Sequence, residues 1–124
     1  MNKKIYIISS WIILGLVALG FMLAAAGKLT GAATPMFANW GYPVWFATVI
    51  GIAELLGAIG LLIPKTTKYA VFGLTLIMIG AGYTHIANGE GLQVLRPIIF
   101  LGFLWGGLFL RRKAHSDTSK IPPA

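Results

Sequence analysis

The sequence predicts an all-α fold, a bundle of four transmembrane helices with a short interfacial helix between helices one and two. Three observations favour this fold. Hydrophobic residues make up 57% of the 124 residues and charged residues only 10%, which is far from the composition of a water-soluble domain. The apolar residues form four long segments separated by turn-forming or charged residues. Basic residues collect at alternate boundaries of these segments, as they do in multi-pass membrane proteins.

Segment one is the clearest of the four. It runs from about Ile5 to Ala26, and no charged side chain follows Lys4 until Lys28. At about 1.5 Å per residue, such a helix crosses a hydrocarbon core of about 30 Å. The start of the chain also resembles a secretory signal peptide, because Lys3 and Lys4 precede the apolar run. The run exceeds the roughly 7–15 residues of a signal core, so we expect it to stay as the first transmembrane helix.

An aromatic stretch, Met36 to Trp45, follows Pro35, which stops the first helical segment. Its aromatic rings alternate with Asn39, Gly41 and Pro43, a mixture that suits the lipid headgroup region better than the hydrocarbon. We therefore expect a short interfacial helix here, followed by a turn. The rings belong to Phe37, Trp40, Tyr42 and Trp45.

Segments two and three are joined by a tight polar turn. Segment two runs from about Val44 to Ile63, is apolar except for Glu54, and ends at Pro64. Segment three runs from about Tyr69 to Ile86 and returns across the membrane. Both are long enough to span it.

Segment four has an uninterrupted apolar run, Pro97 to Leu110, that is short for a transmembrane helix. A helix that begins near Leu92 reaches a spanning length if the Arg96 side chain extends outward to the interface.

We divide the chain into a membrane domain, residues 1–113, and a cytoplasmic tail, residues 114–124. The tail has little to bury and is predicted to be disordered.

The basic residues also predict the orientation. Only Lys28 and Arg96 flank the spans on one side, and a larger set flanks them on the other. Short loops rich in Lys and Arg stay in the cytoplasm, so both termini are predicted to be cytoplasmic, in a cell inner membrane or plasma membrane. The larger set is Lys3, Lys4, Lys65, Lys68, Arg111, Arg112, Lys113 and Lys120.

Composition excludes several classes of function. The chain has no cysteine, which rules out disulfide exchange, iron–sulfur ligation and thiolate metal sites within it. The net charge of +7 is distributed between apolar spans rather than on a soluble face, so we expect the partner to be the lipid bilayer and not nucleic acid. A haem held by two histidines is disfavoured, because His85 is the only histidine within a span. We predict no metal site.

Glu54 is the outstanding candidate for a functional residue. It lies about ten residues from either end of segment two, near the bilayer midplane, where a charge costs at least several kcal/mol. Two interpretations stay open: a proton- or ligand-binding acid, or a neutral side chain whose hydrogen bond fixes helix packing. We expect Glu54 to be protonated at neutral pH unless a cation such as Lys28 reaches it, because desolvation disfavours the charged form.

Three further residues are candidates for ligand or proton binding. Lys28 ends segment one and serves either as a boundary residue or as a partner of Glu54, although helix counting places the two more than one turn apart in depth. His85 lies one turn from the outer end of segment three, and Arg96 follows the next loop. Together with Glu90, these residues are predicted to surround one outward-facing cavity above Glu54.

Small residues are frequent in segments two to four and allow helices to approach closely. They predict a compact bundle or a helix-paired homodimer, which the sequence does not separate. The residues are Gly51, Gly57, Ala58, Gly60, Gly73, Gly80, Gly82, Gly102 and Gly106.

The order and spacing of several short motifs resemble the DoxX-like family of small four-helix membrane proteins, over roughly Ser10 to Leu110. The resemblance implies a membrane protein linked to redox or stress-response complexes, with quinone supplied by the membrane as a candidate cofactor. It also implies that Lys28, Glu54 and His85 match recurrent family positions. The motifs are Gly20, Gly27-Lys28-Leu29, Phe37, Gly41-Tyr42-Pro43, Gly51-Ile52-Ala53-Glu54-Leu55-Leu56-Gly57 and His85.

Three functional hypotheses follow. The first is an accessory subunit that has no catalytic activity of its own and works with membrane or soluble oxidoreductase subunits, beside a quinone. The second is a small proton-coupled transporter that uses Glu54. The third is a structural membrane scaffold in which the polar residues only specify helix packing.

Overall fold

The structure is a computed structural model that describes residues 2–119, and the side chains of residues 2–115. Within that part of the chain the regular elements are all helical, which confirms the predicted fold class. They are α1 (Lys3–Leu29), α2 (Thr34–Asn39), α3 (Val44–Leu62), α4 (Thr67–Ala87), a 3₁₀ turn (Gly91–Val94) and α5 (Leu95–Ser119).

The helix boundaries follow from local chemistry. The side chain of Asn2 accepts a hydrogen bond from the backbone N–H of Ile5 at 3.2 Å and so caps α1. Pro35 lies in the first turn of α2, where its missing N–H costs nothing. Gly41 has a φ of 88°, a conformation that suits glycine and reverses the chain before α3. Pro64 follows α3 and prevents its continuation.

The four long helices run alternately up and down. Helix α1 packs against α3 and α5, and α4 packs against the same two helices. One end of the bundle, which we call the terminus end, holds the start of α1, the α3–α4 turn and the end of α5. The other, the loop end, holds α2 and the 3₁₀ turn. All four helices are long and apolar enough to cross a membrane.

Apolar side chains cover the outside of the bundle as well as its core. Leu14, Leu61 and Leu104 are fully buried between helices, whereas Leu23 and Leu76 point outward and are about two-thirds exposed. An apolar exterior of this kind is stable in hydrocarbon and not in water. The helices are therefore suited to a lipid environment.

Only some of the glycines expected at close helix contacts lie there, and Gly107, which was not expected, does. A Cβ atom on Gly107 would lie 2.6 Å from the Leu14 side chain, and one on Gly57 would lie 2.6 Å from Leu74, so both positions need glycine. Nothing lies within 4 Å of a Cβ on Gly102 or Gly106, which face away from their neighbours. Since one residue turns a helix by about 100°, the contact surface of α5 could not be fixed from the sequence alone.

The fourth span begins close to the predicted start near Leu92. The 3₁₀ turn Gly91–Val94 leads directly into the α-helix at Leu95, so the helical span covers Gly91–His115, with Arg96 exposed in the first turn of α5. At the C-terminal end the backbone stays helical to Ser119, past residue 113, where we place the end of the membrane domain. The rest of the predicted disordered tail, residues 120–124, lies outside the described residues.

Candidate functional site

A buried ion pair joins α1 to α3. The Nζ atom of Lys28 lies 2.8 Å from Oε1 of Glu54, and the exposed fractions of the two side chains are 17% and 2%. The two side chains therefore meet despite the separation in depth that helix counting predicts. The reason is geometric: Cα–Cβ bonds tilt toward the N-terminus of their own helix, so in antiparallel α1 and α3 these two side chains lean toward each other. The long lysine stem covers the remaining distance.

Gly51 permits this contact. It lies one turn before Glu54 in α3 and is buried against the end of α1. A Cβ atom at Gly51 would lie 3.0 Å from Cβ of Lys28 and 3.2 Å from the side chain of Leu29. Any larger residue would push the two helices apart at the level of the ion pair.

A second polar cluster lies at the loop end around Glu90. Its Oε1 atom is 2.8 Å from Nδ1 of His85 and accepts a hydrogen bond from Nε1 of Trp40 at 3.2 Å. The rings of Trp40 and His85 meet edge to face, with centroids 5.3 Å apart. Glu90 therefore connects α2 to the end of α4, instead of being a solvated loop charge.

A third contact fixes the connection before α3. The hydroxyl groups of Tyr42 and Thr84 are 2.7 Å apart, and Thr84 donates its own proton to the carbonyl of Gly80 at 2.9 Å. Tyr42 is thus the donor in the Tyr42–Thr84 bond, because a threonine hydroxyl has one proton. Thr84 is buried, so the bond satisfies a polar group that would otherwise be costly there.

Phe37 and the three aromatic rings around it form what we call the aromatic cap. Phe37 is buried, with its ring centroid 5.2 Å from that of Trp40, 6.0 Å from Tyr42 and 6.2 Å from Phe46. The expected short helix is present, but its rings pack on the end of the bundle rather than only lying in the headgroup region. The cap consists of Phe37, Trp40, Tyr42 and Phe46.

These groups surround a cavity of about 970 Å³. It extends from the aromatic cap to the middle of the helices, where Leu76 and Met78 contribute to its lining. Its walls are largely apolar and aromatic, and its polar groups converge from α1, α3, α4 and the two loop segments. This combination is typical of small-molecule sites.

The structure brings all four candidate residues, Lys28, Glu54, His85 and Arg96, to this one cavity. Their roles in ligand or proton binding remain predictions. Sequence reasoning missed the contributions of Thr84 and Gln93, which also line it. A signal for Thr84 was available, because it is a polar residue next to His85 in an apolar span. Gln93 lies in a turn and carries no such signal.

A model of the DoxX-like family matches residues 12–107. The chain belongs to the DoxX-like family. The match spans most of the chain and includes every residue that lines the cavity, from Phe21 to Phe100. Together with the four apolar helices, it makes this DoxX-like protein a multi-pass membrane protein.

One curated relative of this DoxX-like protein is the "Uncharacterized protein YdgD" of Bacillus subtilis (strain 168). The two are 30% identical over 78 residues, which is 56% of this chain and 68% of the relative. No solved structure matches the chain. The comparisons therefore establish the family but name no substrate.

Proposed function

We propose that this DoxX-like protein binds a small amphipathic molecule in the cavity at the loop end, as an accessory subunit of a membrane redox or stress-response complex. A quinone is the candidate ligand, and catalysis would belong to a partner subunit. The observation that carries the proposal is the ion pair of Lys28 and Glu54 at the inner part of a 970 Å³ cavity with largely apolar walls.

The ion pair has unused capacity for hydrogen bonds. An ammonium group has three donors and a carboxylate accepts about four hydrogen bonds. Nζ of Lys28 lies 2.8 Å from Oε1 of Glu54, yet this buried oxygen has no hydrogen-bond partner among the described residues. Burying two charges is expensive, and the cost is offset only when further hydrogen bonds satisfy them. Since both residues line the cavity, a ligand with carbonyl or hydroxyl oxygens would supply these bonds.

The rest of the cavity suits a ring with an apolar tail. Phe21 and Phe100 pack against each other with centroids 4.9 Å apart and line the cavity opposite the aromatic cap. Aromatic walls favour planar ligands by stacking and by burial of apolar surface. A quinone combines a planar ring with carbonyl oxygens, and its quinol form offers hydroxyl donors to Glu54.

Binding can be tested with purified protein in nanodiscs and a short-chain quinone, by equilibrium dialysis. We expect saturable binding by the natural protein, and affinity at least about tenfold weaker in Lys28→Met and Glu54→Gln, since each loses a charge-assisted hydrogen bond. Lys113→Met is the matched control, because Lys113 is exposed and does not line the cavity. Equal binding by all four proteins, or no saturable binding, would reject the proposed ligand.

Two further measurements separate the alternatives. Recovery of an oxidoreductase with the natural protein, and not with Glu54→Gln, supports the accessory role. Release of protons when ligand binds would favour the proton-coupled transporter. If a well-folded Glu54→Gln variant keeps all ligand binding and partner recovery, the polar residues only specify packing, and the protein is a scaffold.

A further inference from the structure

A second cavity, of about 420 Å³, lies at the terminus end, between the α3–α4 turn and the last turns of α5. The side chains around it are mainly basic, and none of its lining residues is acidic. The acidic residues whose side chains are described, Glu54 and Glu90, line the cavity at the loop end instead. The basic residues are Lys65, Lys68, Arg111, Arg112 and His115.

Arg111 forms the inner wall of this cavity and is 5% exposed. Its Nη1 donates hydrogen bonds to the carbonyl of Leu61 at 3.0 Å and to Oγ1 of Thr67 at 2.7 Å. The guanidinium also lies 4.4 Å from the ring centre of Trp11. These contacts hold the group in place and give the Leu61 carbonyl at the end of α3 a second donor besides the Thr67 hydroxyl.

The other terminal nitrogen, Nη2, is buried and has no hydrogen-bond partner among the described residues. A buried guanidinium with an unused donor is costly, because its positive charge is separated from water and from any anion. The usual retention of lysine and arginine at the cytoplasmic side explains exposed basic residues, but it does not explain a buried one. An anionic group in the cavity would compensate this charge.

We propose that this cavity binds a phosphate group, as carried by the headgroup of an anionic membrane lipid. Arg111 lines the cavity with a guanidinium held in a fixed position, and the exposed Lys68 and Arg112 line it as further cations for the phosphate oxygens. Guanidinium groups match phosphate geometry, and basic pockets at the ends of transmembrane helices are suited to lipid headgroups. The site is separate from the cavity at the loop end and does not depend on the proposed function.

In the test, the full chain is placed in an equal mixture of phosphatidylcholine and phosphatidylglycerol and is then purified again. The amount of each lipid that stays bound to the protein is measured. We expect phosphatidylglycerol to be retained preferentially by the natural protein. The variant Lys68→Met/Arg112→Met should lower this preference about tenfold or more, since each basic residue near a surface contributes to binding. Both side chains are exposed, so the bundle should still fold.

The matched control is Lys4→Met/Lys113→Met, which removes the same charge at the same end from two exposed residues outside the cavity. Its preference should change less than about twofold. Equal losses in both variants would mean general surface attraction and would overturn the proposal, as would the absence of both a lipid preference and stabilisation by phosphate. A second arm adds inorganic phosphate, against chloride at equal ionic strength, and measures thermal unfolding. Stabilisation by phosphate without lipid preference would identify a soluble phosphate as the ligand; lipid preference alone would identify the headgroup.

Discussion

Glu54 and Lys28 are ion-pair partners within the bundle. Glu54 is almost fully buried, and Lys28 lies at its side with only a small exposed fraction. Each charge lowers the cost of burying the other, so removal of one partner leaves the second without compensation. The pair therefore behaves as one unit, and its two residues are best tested together.

We expect Glu54→Leu to lower the free energy of unfolding by about 3 kcal/mol, because it leaves the Lys28 ammonium buried without a partner. Glu54→Gln should cost less, since the amide oxygen remains as a hydrogen-bond acceptor beside Lys28. Adding Lys28→Met to Glu54→Leu should recover part of the loss, with a coupling energy of about 1–3 kcal/mol. Unfolding in detergent of the natural protein, Glu54→Leu, Lys28→Met and the double variant gives the coupling energy, and strictly additive losses would show that the pair is not coupled.

At the level of elements, the loop end is held by contacts between short segments and long helices. Tyr42 bonds to Thr84 of α4, Trp40 bonds to Glu90, and the buried ring of Phe37 fills the space between them. These contacts place α2 across the bundle. The aromatic cap is thus a folded part of the domain, although its composition is that of an interfacial segment.

Cysteine labelling distinguishes a folded cap from a loose interfacial loop. Asn39 is exposed and Phe37 is buried, although both lie in α2. We expect a membrane-impermeant thiol reagent to label Asn39→Cys rapidly and Phe37→Cys slowly. Equal labelling rates at the two positions would contradict the folded cap, and the natural chain is unlabelled because it has no cysteine.

The packing of α1 on α3 depends on Gly51, and this leads to a third prediction. Gly51→Val should lower the free energy of unfolding by about 1–3 kcal/mol and separate Lys28 from Glu54, because the added side chain meets Lys28 and Leu29. Gly73→Val is the control, since nothing lies within 4 Å of a Cβ at Gly73. Thermal unfolding should therefore change little in the control, and a comparable loss there would mean that glycine matters for the helix backbone and not for the contact.

For the whole molecule, the arrangement of basic residues predicts the orientation in the membrane. The start of α1, the α3–α4 turn and the end of α5 lie at the terminus end with most of the described lysines and arginines, whereas Lys28 and Arg96 lie toward the loop end. Such an asymmetry over short loops favours cytoplasmic termini. The candidate cavity would then open away from the cytoplasm.

We expect reporters fused at Met1 and at Ala124 to be both cytoplasmic. A reporter in the α1–α3 connection, for example after Asn39, should be on the opposite side and provides the internal control. A C-terminal reporter outside the cytoplasm would remove α5 as a membrane span and contradict the four-helix bundle.

The sequence by itself determined the fold class, the four spans to within a few residues, and Glu54 as the unusual residue of its helix. These features depend on polarity and length along one chain segment, which the order of residues specifies directly. It also indicated that Lys28, His85, Glu90 and Arg96 lie toward the same end of the bundle, because alternating spans place alternate loops together.

Only the tertiary structure decided which of these side chains meet. The contact of Lys28 with Glu54, the choice of Gly107 over Gly102 and Gly106, and the burial of Arg111 all depend on how neighbouring helices are rotated and shifted. A rotation of one residue, about 100°, or a shift of one turn exchanges one set of partners for another. The polarity of a single helix does not encode that relation, since it arises from the fit of side chains on two helices.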